Sequence, residues 1–230
     1  LESIAWWLHR FDADFTILVS QFEKKFLEEI EPGLRLKVLT LPREIPGRSA
    51  GYSERKDVVF IGGFGHQPNI DAVMYFVNEI WPLAGERMPG CNFLIAGSNM
   101  PDSIRSLESG TVKPLGFIDD LDSLFNQCRA SVAPLRFGAG IKGKIVTSLS
   151  YGVPCVATPM AVEGMNLEDG VDIFVGDSPR EFADRLVTLY ENQPTWESVS
   201  DHALAYVNRN FSLEVYQQQL VELLKFLGLD

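Results

Sequence analysis

From Asp57 onward the hydrophobic and polar positions switch repeatedly between two periods. Asp57-Val58-Val59-Phe60-Ile61-Gly62-Gly63 is a continuous apolar run closed by glycines, the pattern of a strand buried on both faces. Ala72, Val73, Phe76, Val77, Ile80, Trp81 and Ala84 then fall on one stripe at helical spacing, which predicts a helix over 68–87. The same alternation predicts strands over 91–97, 112–118, 130–135, 153–158 and 173–175. Helices are predicted over 100–108 and 119–128, and another opens in the Gly/Lys-rich segment after the fourth strand. Ser178-Pro179-Arg180-Glu181 carries the N-cap, N1 proline and N3 glutamate of a further helix, continued by Phe182, Leu186, Leu189 and Tyr190. Buried strands alternating with helices predict an α/β fold: a Rossmann-like, doubly wound parallel sheet.

The first fifty residues follow a separate rhythm. They read as a helix end over 4–10, a strand over 15–20, an amphipathic helix over 22–30 and a strand over 36–41. The Pro- and Gly-rich stretch from Pro42 through Gly51 then reads as a connection. The expected organisation is the end of a preceding domain over 1–45, a linker over 46–56, a main domain over 57–212 and a C-terminal helix over 213–230. Tyr216, Leu220, Leu223, Leu224 and Leu227 share one face of that last helix, suited to the main domain or to the preceding unit. The chain opens on Leu1 with neither an initiator Met nor a basic, then apolar, leader, so it reads as a piece of a longer polypeptide.

Composition narrows the function. A net charge of −11 over 230 residues leaves no basic stripe for a nucleic-acid backbone. Cys91, Cys128 and Cys155 are odd in number and set in apolar runs, as expected of buried, reduced thiols in a cytoplasmic protein. No window approaches the ~20 apolar residues of a membrane span.

Against that acidic background, Phe137-Gly138-Ala139-Gly140-Ile141-Lys142-Gly143-Lys144 stands out. It puts three glycines and two lysines at the mouth of a helix, where leftover N–H groups attract anions. Two further loops should open on the same edge of a parallel sheet: Gly62-Gly63-Phe64-Gly65-His66-Gln67-Pro68-Asn69 and Thr158-Pro159-Met160-Ala161-Val162-Glu163-Gly164. Each has a plain alternative. The first is also a tight turn, His66 a polar loop residue and Glu163 a solvated carboxylate. The Walker spacing is absent, and no G-x-G-x-x-G follows the first strand. Asp119-Asp120-Leu121-Asp122 reads as helix-start acids, with metal binding the lesser alternative.

Taken in order, these segments resemble glycosyltransferase family 4. The resemblance rests on 58–69, on Val112-Lys113-Pro114-Leu115-Gly116-Phe117-Ile118-Asp119-Asp120, on Pro134-Leu135, on Gly138 through Lys144, and on Gly152-Val153-Pro154-Cys155-Val156-Ala157-Thr158-Pro159 with Glu163-Gly164. It runs from about Asp57 to the C-terminus, and 12–41 resembles the end of that family's acceptor domain. It implies a GT-B fold, and a retaining, metal-independent transfer of a hexose-type sugar from a nucleoside-diphosphate sugar, with no cofactor. This chain would supply the donor-binding half. The resemblance implies catalytic roles for Lys144 and Glu163. Lys144 and Lys142 would meet the diphosphate, with Gly140, Ile141 and the helix N-terminus beside them. Gly62, Gly63 and His66 would lie in the turn beneath the phosphates, Phe117 along the base, and Glu163 with Gly164 toward the sugar. The acceptor, whether glycan, lipid or another molecule, would be held by an N-terminal domain missing from this sequence, and any membrane association would come through that part.

The sequence departs from the family's pattern at one place. Its paired glutamates, eight positions apart, fall at Ala139 and Thr147. The second normally grips the ribose hydroxyls, and losing a hydrogen bond to a charged group costs about 1.5–3 kcal/mol. The alternative reading is therefore a catalytically degenerate module that binds nucleotide-sugars or serves assembly; a GT-B epimerase is a third, without the expected acidic and histidine partners in view.

Overall fold

Six parallel strands form the main sheet of the computed structural model, which describes residues 15–138 and 140–229. In chain order they are β3 (Asp57–Ile61), β4 (Phe93–Ala96), β5 (Val112–Gly116), β6 (Cys128–Ala133), β7 (Cys155–Ala157) and β8 (Phe174–Val175). Their order across the sheet is β5-β4-β3-β6-β7-β8, every neighbouring pair parallel. The winding therefore reverses between β3 and β6, and at such a reversal the loops leaving two adjacent strands diverge and open a crevice. Val58, Val59 and Phe60 of β3 are fully buried, as the unbroken apolar run predicts. One face carries a core built around Phe76, Phe93, Phe182 and Trp196; Leu124, Phe125 and Val153 cover the other.

A second, two-stranded parallel sheet precedes it: β1 (Thr16–Leu18) pairs with β2 (Leu36–Val38), joined by helix α1 (Gln21–Ile30). Ser20 caps α1, its hydroxyl accepting from the Phe22 and Glu23 amides. The expected helix over 4–10 lies outside the described residues. The C-terminal helix (Leu213–Phe226) reaches back to this unit: Phe226 packs edge-on against Phe15, and Gln219 accepts from the Thr40 hydroxyl at 3.0 Å.

Several regions differ from the sequence reading: the helix expected over 100–108 is confined to Asp102–Arg105, and Pro159–Val162 in the third loop is helical. The helix expected over 68–87 is broken into Gln67–Tyr75, a wider π turn over Phe76–Ile80, Trp81–Ala84 and a 3-10 turn over Gly85–Arg87. Pro82 is the cause: it donates no N–H and its ring collides with the carbonyl four residues back, which a wider turn relieves. Residues 193–212, unassigned in sequence, carry the longest helix, Gln193–Phe211, buried along Trp196, Val199, Ala203, Tyr206 and Val207.

Candidate functional site

The three loops do open on one edge of the sheet, at the carboxyl ends of β3, β6 and β7. The Gly62-Gly63 turn is pinned from two sides. Gly62 donates to the Ala96 carbonyl at 3.0 Å, and a Cβ at Gly97 would fall 1.8 Å from the Gly62 oxygen, so the adjacent loop tolerates only glycine. From the other side Asn69, 5% exposed in the first turn of the helix Gln67–Tyr75, donates through Nδ2 to the Gly63 carbonyl at 2.7 Å. His66 caps that helix from an exposed position, without a side-chain capping bond.

The Gly/Lys loop enters the helix Gly143–Ser150 with Lys142 at its N-cap. Gly138 and Gly140 take left-handed φ values of 120° and 78°, and both of their carbonyls accept from the Lys142 ammonium, at 2.9 and 2.6 Å. Lys142 is thus turned into its own loop, only 8% exposed, and burial holds its pKa below the ordinary lysine value while Glu163 opposes that shift. Lys144 points the other way, toward β3. Its ammonium donates to Asn69 Oδ1 at 2.5 Å and lies 5.1 Å from the centre of the Phe60 ring. Burial, then the neighbouring Lys142 charge, push its pKa down to about 8. Two cations therefore sit at one helix N-terminus, where the dipole and leftover amides already favour an anion.

Thr147, one turn further on, spends its hydroxyl on the Gly143 carbonyl at 2.9 Å. In the third loop Thr158 caps the short helix Pro159–Val162, which ends at Glu163, an exposed residue. Gly164 follows at φ 75°, and a Cβ there would meet Phe22 of α1 at 3.0 Å. The two-stranded unit and the main domain thus touch beside the site.

Two recesses flank it. One, of about 230 Å3, lies over the ends of β3, β4 and β5 and is lined by Gly62, Gly63, Gly97, Ser98 and Phe117, whose ring is 66% exposed. A second, of about 250 Å3, sits between the units, with Val19, Leu41 and Arg43 facing Gly140, Ile141 and Gly143. Of the residues singled out in sequence, Gly62, Gly63 and Lys144 are brought together at the switch point through Asn69, whereas Lys142 is turned into its own loop. Gly140 and Ile141 line the inter-unit recess, Gly164 lies against Phe22 of α1 with Glu163 exposed beside it, and Phe117 lines the neighbouring recess. Sequence reasoning did not single out Asn69 or Arg43. Asn69 had a signal, a polar side chain at a position the helical stripe buries; Arg43, in a Pro-rich connection, had none.

The family model for Glycosyl transferases group 1 matches residues 55–192. An uncharacterized 44.6 kDa protein in the cps region of Klebsiella pneumoniae is 19% identical over 207 residues, covering 84% of this chain and 53% of that protein. Among solved structures, a mutant of S. aureus TarM in complex with Fondaparinux, alpha-GlcNAc-glycerol and UDP matches with a TM-score of 0.78 at 14% identity, over 96% of this chain and 45% of TarM. Anabaena HepE in complex with UDP and glucose matches with a TM-score of 0.76 at 18% identity, over 98% of this chain and 67% of HepE. The pneumococcal O-GlcNAc transferase GtfA, in complex with UDP and GlcNAc, gives 0.73 at 16% identity, over 96% of this chain and 46% of GtfA. At such identities the structural likeness speaks for the fold. The chain spans about half the length of the curated relative (53%) and of TarM (45%).

Proposed function

The chain belongs to the group 1 glycosyl transferases, and from that premise we propose that it forms the donor-binding half of a retaining, family 4 glycosyltransferase. The donor is a nucleoside-diphosphate hexose, and residues 57–212 are its binding domain. One observation carries this reading: at the reversal of the sheet a desolvated lysine, a helix N-terminus and a glycine turn converge beside a recess with an exposed aromatic ring. The base lies along Phe117 in that recess and the diphosphate against Lys144 and the first turn of the helix Gly143–Ser150. The sugar faces Glu163, across from α1. When the bond between the sugar's anomeric carbon and the diphosphate oxygen breaks, negative charge grows on the leaving diphosphate. A lysine held in a site shielded from water stabilises that charge more than it would in bulk solvent. On this reading the two lysines and the helix N-terminus supply the positive charge, so the reaction is metal-independent. The acceptor is held by a part of the protein beyond this chain.

Titrating the 230-residue chain with UDP, GDP and ADP by calorimetry tests the reading. One of the three is expected to bind, and Lys144→Ala to weaken it by tenfold or more. No binding by the unaltered chain overturns the donor reading; equal affinity in the variant overturns the role of Lys144.

A second reading has its own observation. Thr147 brings a hydroxyl, already engaged with Gly143, to a position where the family carries a carboxylate. On this reading the chain is a nucleotide-sugar-binding or assembly module without turnover, and release of the nucleotide from a UDP-sugar by the full-length protein excludes it.

A further inference from the structure

The structure assigns a part to a residue that the donor-site reading leaves out. We propose that Asn69 is a positioning residue for the diphosphate, holding the Lys144 ammonium at one end of its carboxamide and the Gly62-Gly63 turn at the other. The proposal rests on the donor-binding reading above and adds to it the element that sets the lysine's place.

The chemistry of the partners fixes which way the amide points. An ammonium only donates and a peptide carbonyl only accepts, so Oδ1 must face Lys144 and Nδ2 must face Gly63, as the 2.5 and 2.7 Å contacts have it. Among side chains of this size, a carboxamide alone serves both ends. Aspartate accepts from the lysine but leaves Gly63 without its donor, and leucine serves neither. The fit is close: a Cβ at Gly62 would fall 2.9 Å from Nδ2, so the glycine makes room for the asparagine. With Asn69 5% exposed, water does not substitute for it. Two loops from adjacent strands, β3 and β6, are thereby held to one amide at the reversal of the sheet, where a diphosphate would lie.

Lys144 has little else to hold its proton. Lys142 on its own loop disfavours the charge, Phe60 of β3 offers a ring face, and the Cys155 thiol of β7, kept protonated by burial, brings no charge where the lysine titrates. Glu163 acts on Lys142. Asn69 is the hydrogen-bond acceptor that the described residues give to Lys144, so changing it should move the titration of the lysine, which a merely structural asparagine would not do.

The test has two arms on the 230-residue chain. In the first, the Lys144 side chain is titrated by NMR without any nucleotide. Asn69→Leu is expected to lower its pKa from about 8, and Asn69→Asp, which adds a negative charge, to raise it. In the second arm UDP affinity is measured from pH 6 to 9.5. Asn69→Leu should weaken binding roughly ten- to hundredfold, as for loss of a hydrogen bond to a charged group, and move the alkaline fall in affinity to lower pH. Asn69→Asp should move that fall to higher pH. An unshifted Lys144 titration in both folded variants overturns the proposal. So does UDP binding by Asn69→Leu with the affinity and pH profile of the unaltered chain, and that result leaves the donor reading standing. Absence of binding of UDP, GDP and ADP alike by the unaltered chain, with shifted titrations, defeats the donor reading and the positioning role with it; if GDP or ADP binds in place of UDP, the second arm is read with that nucleotide.

Discussion

Arg55 shows what a single charged residue does in this fold. Its guanidinium is fully buried and donates to four backbone carbonyls: Ala50 at 2.8 Å, Phe125 at 2.6 Å, Cys128 at 3.2 Å and Tyr151 at 3.3 Å. Phe125 and Tyr151 lie at the C-terminal ends of the helices Leu121–Gln127 and Gly143–Ser150. There unpaired carbonyls and the negative pole of the helix dipole welcome a cation. Burial pushes the Arg55 pKa down only to about 10, so it stays charged at neutral pH. One side chain thus ties the connection before β3 to the rear of the helix whose front end holds Lys144. Arg55→Met, which leaves those carbonyls bare, is expected to destabilise the chain by about 3–5 kcal/mol in urea unfolding, and Arg55→Lys by about half as much. A loss below 1 kcal/mol in the methionine variant would contradict this role. The sequence offers no warning, because Arg55 falls in the stretch read as a linker over 46–56, where a charged side chain is expected to face solvent. The same limit applies to the two lysines of the Gly/Lys loop. Their clustering was legible, but not that Lys142 braces the loop while Lys144 faces Asn69.

At the scale of elements, the alternation of buried strands and helices was legible because the period of an apolar run is set by the backbone alone. The pairing order, which decides where the crevice opens, depends on long-range contacts that no local pattern encodes. The helix Gln193–Phe211 was illegible for a different reason: Ser200 and Ala203 stand in its buried stripe among the aromatics, so the periodicity is blurred. Its start, however, is written in Asn192-Gln193-Pro194. The Asn192 side chain accepts from the Thr195 amide at 2.9 Å, while its own N–H donates to the Thr188 carbonyl at 3.1 Å and so closes the preceding helix. Alanine keeps the second bond and loses the first. Asn192→Ala should therefore cost about 1 kcal/mol, a fall of roughly 2–4 °C in Tm for a chain of this size, and Asn192→Asp should restore it. Equal melting of the alanine variant and the unaltered chain in calorimetry would remove the shared cap from the account.

For the whole molecule, pH separates the site from the fold that carries it. Burial pushes the thiols of Cys91 and Cys155 up to about 12, and raises Cys128 as well. Each is an acid whose folded pKa lies above the unfolded value of about 8.5. The stability it contributes is complete below pH 8.5 and is lost as pH rises toward the folded value, by roughly 1.4 kcal/mol per unit for each thiol. Lys144 works against this trend. Its folded pKa of about 8 lies below the unfolded value, so between about pH 8 and 10.4 the unfolded chain binds more protons and folding gains from rising pH. Three groups outweigh one, and stability should fall by roughly 2 kcal/mol between pH 7 and 9.5. Cys155→Ala should shrink that fall by about 1 kcal/mol, whereas Lys144→Met should deepen it. On the proposed donor reading the site responds earlier, because a diphosphate held by Lys144 would lose its partner as the ammonium deprotonates above about pH 8. Nucleotide affinity should therefore decline across pH 8–9 in a chain whose far-UV circular dichroism is unchanged. Loss of both signals at the same pH would mean that the alkaline response belongs to unfolding and not to the lysine.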